Sequence, residues 1–265
     1  MMTQRNHTKW NEEQIARTQV VVLAGGRAKR MGIDIPKCLL EIGGKKLVDI
    51  CVEALAAEGF RDFVFLLGHK HEMVTEYLED RSKYLKIQAK TSIDPPSVSG
   101  WGKGKAFKFA LANGKIDRSR RSMIVFPDDI ILEEKVYSKF LSNHTQAAKM
   151  HAILASTLLV PGTEYPYGVA EVDSSNGIVT KFEEKPFLNT PTSVGVYLFE
   201  PDVYEIIDNE IDLMDESPVD LESTIMPVLV SKRKLSSMFT KSDKWIPINT
   251  MKEYEKALQV LSPRK

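Results

Sequence analysis

The stretch Leu23-Ala24-Gly25-Gly26-Arg27-Ala28-Lys29-Arg30-Met31, followed shortly by Pro36-Lys37, combines backbone freedom with positive charge. Two glycines at the end of an apolar run let the backbone approach a phosphate closely and turn its N–H groups toward it. Lys29, Arg30 and Lys37 add three cations near that turn, a combination suited to a polyanion. The glycine spacing matches neither the dinucleotide fingerprint nor a P-loop, so neither motif supports the reading. An ordinary tight turn with solvated basic residues is the competing reading.

Further along, Asp128 follows the apolar run Met123 to Phe126, with Asp129 beside it. A carboxylate at the carboxyl tip of a strand lies on the sheet edge where open α/β folds bind ligands, and Mg²⁺ prefers oxygen donors together with water and substrate phosphates. Capping of the following turn is the alternative role for Asp128. Phe182-Glu183-Glu184-Lys185-Pro186, preceded by Tyr167-Gly168-Val169-Ala170, places a carboxylate next to an ammonium, a pair able to recognise a phosphorylated polyol. Taken alone, such a string also reads as a solvated strand end. His69 and His71 flank Lys70 in a polar loop and read as surface groups.

Taken in order, these segments resemble the sugar-phosphate nucleotidyltransferase family. The opening from Leu23 to Asp49 carries the resemblance through Ala24-Gly25-Gly26, Arg30-Met31, Pro36-Lys37 and Ile42-Gly43-Gly44-Lys45. Ala28-Lys29 stands where the family has Gly-Thr, as in molybdopterin-type and cobamide-type relatives. Gly102-Lys103-Gly104-Lys105-Ala106 resembles the family's Gly-Thr-Ala/Gly-x-Ala element, whose backbone lies along the nucleobase. Ser193-Val194-Gly195-Val196-Tyr197 is similar to its Asn-Ala-Gly-Ile-Tyr strand, and Trp245-Ile246-Pro247-Ile248-Asn249-Thr250 to its Trp-x-Asp-x-Gly-Thr segment.

The resemblance implies a division of roles. Leu23, Ala24, Gly25, Gly26 and Gly102 would bind the nucleotide, and Arg30 and Lys37 the triphosphate and its developing charge. Gly168, Glu184, Lys185 and Ser193 would face the sugar phosphate. Asp128 and Asn249 would hold Mg²⁺, with Pro247 standing where one alignment expects an aspartate; the other reading of Asn249-Thr250 is a cap on the last helix. Lys103 replaces the usual threonine, and no glutamine precedes that element to read uracil or thymine.

The elements that must position these groups follow from periodicity. Val20 to Ala24 reads as a buried parallel strand. Helices are expected near Leu47 to Glu58, Glu72 to Glu79, Lys103 to Ala112 and Glu134 to Leu141, with strands over Asp62 to Leu67, Tyr84 to Ala89 and Met123 to Phe126. Strands alternating with helices at this spacing imply an α/β fold with a doubly wound, mostly parallel sheet, Rossmann-like and similar to the GT-A arrangement. The second half adds a small antiparallel β insertion, a hairpin of Val169 to Val172 and Ile178 to Phe182 closed by Ser174-Ser175-Asn176-Gly177. Residues 1–18 are expected as a flexible tail and 19–262 as one domain.

Composition narrows the partners. The 265 residues are 43% hydrophobic, enough for a sizeable core. Lys plus Arg and Asp plus Glu are 36 each, so no global basic field exists to hold nucleic acid or an anionic membrane. Cys38 and Cys51 have no paired metal-ligand spacing and fit a reducing compartment. With no signal-like or bilayer-length apolar run, a cytoplasmic location is expected.

The expected reaction joins a sugar 1-phosphate to a nucleoside triphosphate, releasing pyrophosphate, with glucose 1-phosphate and UTP or dTTP as the leading pair. Mannose 1-phosphate with GTP, another phosphorylated acceptor, and a noncatalytic nucleotide-sugar sensor are the alternatives. The partners are the two substrates, with self-association into a homo-oligomer left open.

Overall fold

Six consecutive residues with no charge and three valines favour extended backbone, and Thr18–Leu23 is buried along its whole length as the strand β1. The computed structural model describes residues 4–28, 32–95 and 101–261, with side chains in the first helix from Trp10 onward. Before β1 runs α1 (Gln4–Ala16). After it come β2 (Glu41–Ile42), β3 (Lys45–Lys46), α2 (Leu47–Ala57), β4 (Asp62–Leu67), α3 (His71–Leu85), β5 (Gln88–Ile93), α4 (Gly102–Ala112), β6 (Arg121–Val125), β7 (Asp129–Ile131) and α5 (Val136–His151). The second half holds β8 (Ala155–Val160), β9 (Thr163–Glu164), β10 (Val169–Val172), β11 (Val179–Glu183), β12 (Phe187–Leu188), β13 (Thr192–Phe199), α6 (Val203–Glu210), α7 (Leu221–Ser231), β14 (Leu235–Phe239), β15 (Trp245–Pro247) and α8 (Met251–Leu261).

Seven strands form the central sheet in the order β14-β8-β13-β6-β1-β4-β5. β1 runs parallel to β4 and β6, and β5 parallel to β4; only β13 runs antiparallel to its neighbours β6 and β8. The expected mostly parallel, doubly wound sheet is therefore present. Alternate residues leave opposite faces of a strand. Val20, Val22, Phe63 and Phe65 accordingly pack with residues of α2, α3 and α5, while Val21, Leu23, Val64 and Leu66 pack with residues of α4, α6 and α7. From β1 the chain moves outward through β4 and β5, then returns through α4 to β6 on the other side of β1. That reversal opens a crevice at the carboxyl ends of these strands, where such sheets bind ligands.

The N-terminal segment corrects the expected tail. Gln4–Ala16 is helical, and Ile15 packs against the core. Arg120 donates to the carbonyls of Ala16 and Thr18 at 3.0 Å each, and Arg121 to the Gln14 side chain at 2.9 Å. These anchors lie far along the chain, so a segment with few apolar residues holds a helix through tertiary contacts that its own sequence does not advertise.

Two boundaries also move. α3 continues to Leu85 before Lys86 adopts a left-handed conformation (φ 53°), so the strand expected from Tyr84 begins at Gln88. α5 extends to His151. The expected hairpin is present as the antiparallel ribbon β10-β11. Asp173 accepts from the backbone N–H of Ser175 at 2.9 Å, and Gly177 takes φ 75° to close the turn. Among the described residues no helix is long and apolar enough to cross a membrane.

Candidate active site

The glycine loop turns sharply because Gly25 meets the tip of the neighbouring strand. A Cβ on Gly25 would lie 3.0 Å from the backbone nitrogen of Gly68, and one on Gly68 would lie 3.2 Å from the carbonyl oxygen of Gly25. Each glycine excludes a side chain so that the two tips can touch, leaving bare backbone as the floor of a cleft of about 700 Å³. Leu23, Ala24, Gly25, Gly26 and Gly102 all line it, as do Lys37 and Asp128. A cleft of this volume has the size of a small-molecule site.

Lys37 is carried into the cleft by a closed loop. Arg27 and Pro36 form an isolated antiparallel bridge, and the Lys37 N–H donates to the Gly26 carbonyl at 3.2 Å. Cys38 donates from its thiol to the Ala24 carbonyl at 3.7 Å, tying the same turn to β1. Burial pushes both Cys38 and Cys51 up to about 12, which keeps both thiols protonated as packing groups. Arg30 lies outside the described residues.

At the opposite rim, β15 pairs antiparallel with β7, Pro247 opposite Asp129, and Ile248 donates to the Asp128 carbonyl at 2.9 Å. Proline is tolerated at the end of this edge strand, where its missing N–H leaves no gap in a long ladder. The pairing sets Asn249 beside Asp128. The ammonium of Lys37 donates to the Asp128 carboxylate and, at 3.2 Å, to the Asn249 side-chain oxygen. The side chains of Lys37 and Asp128 are only 15% and 22% exposed, so their attraction is weakly screened.

Asn249 also has its capping role clarified. Thr250 caps α8: its hydroxyl accepts from the Glu253 N–H at 3.3 Å, while Glu253 accepts from the N–H groups of Asn249 and Thr250 at 2.8 Å each. This reciprocal capping box uses only the backbone of Asn249 and leaves its side chain free to face Lys37. Asp129, in contrast, accepts from the Trp245 indole at 2.9 Å. Its burial, and then the adjacent charge of Asp128, push it up to about 7.

The start of α4 is tied to the chain just before α7. The Lys103 N–H donates to the Asp220 side chain at 3.0 Å and the Gly104 N–H to the Val219 carbonyl at 2.7 Å, so two of the N–H groups at this helix terminus find their partners within the chain. A Cβ on Gly102 would come 2.4 Å from the Val219 carbonyl oxygen, which accounts for the glycine by chain packing. Lys103, unexpected in sequence, pairs with Glu222 at 2.7 Å and lies 4.9 Å from the centre of the Phe126 ring.

Of the residues expected to hold the sugar phosphate, the structure brings Gly168, Glu184 and Lys185 together and places Ser193 with other partners. Gly168 lies against Glu184 and Phe182, where a Cβ would come 3.0 and 2.5 Å from their side chains, and Lys185 pairs with Glu184 at 3.4 Å. Lys185 takes φ 50° as the chain leaves β11. Ser193 bonds to the hydroxyls of Tyr197 and Thr157 at 3.2 and 3.3 Å. None of these four lines the glycine-floored cleft, although β13 reaches its rim: a Cβ on Gly195 would lie 3.0 Å from the ring of Phe126, which lines it. His69, His71, Asp94, Trp101 and Phe126 line the cleft and were not singled out as site residues. Asp94 and Phe126 directly follow the strands β5 and β6, a position that could have marked them.

Residues 19–262 match the family model described as Nucleotidyl transferase. The chain belongs to that nucleotidyltransferase family. It is 26% identical to a mannose-1-phosphate guanyltransferase of Schizosaccharomyces pombe and 25% identical to one of Kluyveromyces lactis, over 89% and 88% of its length. In both comparisons it spans 62% of the relative's length. Among solved structures, HddC of Yersinia pseudotuberculosis superposes with a TM-score of 0.65 at 20% identity, covering 92% of this chain and 99% of that one. The nucleotidyltransferase fold is thus shared across nearly the whole chain.

Proposed function

We propose that the chain joins a sugar 1-phosphate to a nucleoside triphosphate and releases pyrophosphate, with mannose 1-phosphate and GTP as its substrates. The convergence of Lys37, Asp128 and Asn249 at the rim of a glycine-floored cleft carries the reading. The names of the guanyltransferase relatives favour this pair over the glucose 1-phosphate with UTP or dTTP expected first.

Attack of the sugar phosphate oxygen on the α-phosphorus, with pyrophosphate leaving in line, requires positioning and charge neutralisation rather than a covalent nucleophile. The Gly25-Gly26 backbone offers N–H groups to the phosphates, and the Lys37 ammonium neutralises charge on them. Asp128 and Asn249 fit Mg²⁺ by donor chemistry, because their oxygens already converge on one cation, the Lys37 ammonium. Among the described residues no group of three His, Cys, Asp or Glu side chains could hold a metal, which suits an ion that takes its remaining ligands from phosphates and water. Held by Asp128 and Asn249, Mg²⁺ would supply charge neutralisation on the triphosphate, and the Lys37 ammonium would then serve the phosphates instead of Asp128. Glu184 and Lys185 would hold the sugar phosphate from the β10-β11 side.

Incubating the protein with Mg²⁺, each common nucleoside triphosphate and a panel of sugar 1-phosphates, and following pyrophosphate together with the product mass, tests the proposal. A nucleotide sugar from GTP and mannose 1-phosphate is expected. Nucleotide binding with no product from any pair would instead favour a nucleotide-sugar sensor.

A further inference from the structure

Only Ile35 and Pro36 separate Asp34 from Lys37, yet the two residues reach opposite flanks of β1. The Lys37 ammonium meets Asp128, just beyond β6. Asp34 meets the junction of β4 and α3: the Lys70 ammonium donates to the Asp34 carbonyl at 2.6 Å and to its carboxylate at 2.7 Å, and His69 Nε2 lies 3.2 Å from the other carboxylate oxygen. β4 and β6 are the two neighbours of β1, so their tips stand about two strand spacings, roughly 10 Å, apart. The stretch from Asp34 to Lys37 crosses that gap beside the tip that carries Gly25 and Gly26.

Its other attachments lie on the β6 side. Ile33 and Ile35 pack against the cluster that contains Ile130 and Ile248, the sequence neighbours of Asp129 and Asn249. The bridge of Arg27 to Pro36 and the bond from the Lys37 N–H to the Gly26 carbonyl close the stretch at its end. Among the described residues, the bonds to His69 and Lys70 are the ones that draw it toward β4. Lys70 takes φ 50° at the entry to α3, a left-handed conformation unfavourable for a residue with a Cβ, and so brings its ammonium to both the carbonyl and the carboxylate of Asp34.

The Asp34 side chain is 82% exposed, and exposed ion pairs add little to the stability of a fold. Such a pair can nonetheless bias one short segment. Misplacing a group in a reacting site by about 1 Å costs up to about a hundredfold in rate, and Lys37 is only three positions from this hold.

We infer that Asp34 is a positioning residue: clasped by Lys70 and His69, it draws the Ile33 to Lys37 stretch toward β4 and sets where the Lys37 ammonium stands relative to Asp128 and Asn249. The inference rests on the transferase reading for the part Lys37 plays in the reaction, whereas the hold of Asp34 on Lys37 belongs to the free protein.

The test has two readouts on the full chain. In the first, the ligand-free protein is treated with limiting acetic anhydride and acetylation of Lys37 is followed by peptide mass. The Lys37 side chain is 15% exposed in the wild type, and Asp34→Ala and Lys70→Ala should each speed its acetylation by about threefold or more, on the scale of one lost exposed pair. Unchanged acetylation in both variants overturns the inference, and so does an equal rise at the buried Lys105, which would mark loosening of the whole chain. In the second, turnover is measured for Asp34→Ala, Asp34→Glu, Lys37→Ala and the Asp34→Ala, Lys37→Ala double variant. Asp34→Ala should lower kcat by about tenfold or more with the triphosphate KM nearly unchanged, and Asp34→Glu should recover most of the loss. In the Lys37→Ala background, Asp34→Ala should cost nothing further, and an undiminished cost there overturns the inference. Faster acetylation of Lys37 with no nucleotide sugar formed from any pair would keep the hold of Asp34 on Lys37 and fail the transferase reading. Product from a wild type whose Lys37 is untouched by both variants would do the reverse.

Discussion

The side-chain oxygen of Asn249 lies 3.2 Å from the ammonium of Lys37, although the two residues come from opposite ends of the chain. The β15-β7 pairing that brings Asn249 to Asp128 sets one amide oxygen and one carboxylate, the pair proposed to hold Mg²⁺, around the same ammonium. Replacing Asn249 with Asp supplies a second carboxylate, so half-maximal turnover is expected at a lower Mg²⁺ concentration than in the wild type. Asn249→Ala is expected to need about tenfold more Mg²⁺ or beyond, on the scale of one lost ligand contact. A Mg²⁺ titration of turnover in which both variants match the wild type would remove Asn249 from the metal site.

Glu253 supports the same amide from behind. Its carboxylate accepts from the N–H groups of Asn249 and Thr250, so Glu253→Ala leaves two donors at the start of α8 without their partner. A loss of about 1 kcal/mol in denaturant unfolding is expected from the broken capping box. Because the Asn249 backbone is anchored through the same group, the Mg²⁺ requirement should rise in step. A stability loss with an unchanged Mg²⁺ requirement would show that Asn249 is held by β15 alone.

Asp94 gives a pH dependence with a definite sign. Its folded value of about 6 lies above the ordinary carboxylate value of 3.8, so the folded state binds the proton more tightly than the unfolded chain does. The associated stability is fully present below about pH 4 and is lost as pH rises to about 6. Discounted for partial exposure, the loss is about 1–2 kcal/mol. Unfolding of the ligand-free wild type and Asp94→Asn across this range should show the wild type losing that much relative to the variant, and parallel curves would contradict it.

Lys185 stands with Glu184, away from the glycine floor. Lys185→Ala should therefore raise the KM for the sugar phosphate by about tenfold or more while changing that for the nucleotide little. Equal rises for both substrates, measured by steady-state kinetics with each varied in turn, would count against the division of roles.

Much of this arrangement is legible from sequence where one segment carries its own signal. The run Val20 to Leu23 could only be a buried strand, the glycine loop follows it directly, and Asp128 marks the next strand tip; the structure puts all three at one crevice. What sequence hides are meetings between distant segments. Gly102 reads as a ligand-facing glycine, yet the close approach of Val219 also demands it, and Asp220 accepts from the Lys103 N–H at the start of the same helix. Asp94 carries no motif at all; its place in the cleft comes from the close approach of Gly68, just beyond another strand. α1 reads as a tail because Arg120 and Arg121, its anchors, are far along the chain.

The most direct test of the central claim runs the reaction backward. With GDP-mannose, pyrophosphate and Mg²⁺, the wild type should form GTP and mannose 1-phosphate, detected by mass, and Asp128→Ala, checked for folding, should form neither. Cleavage at wild-type rates by Asp128→Ala, or no cleavage of any nucleotide sugar by the wild type, would contradict the assignment of nucleotidyl transfer to the Lys37, Asp128 and Asn249 cluster.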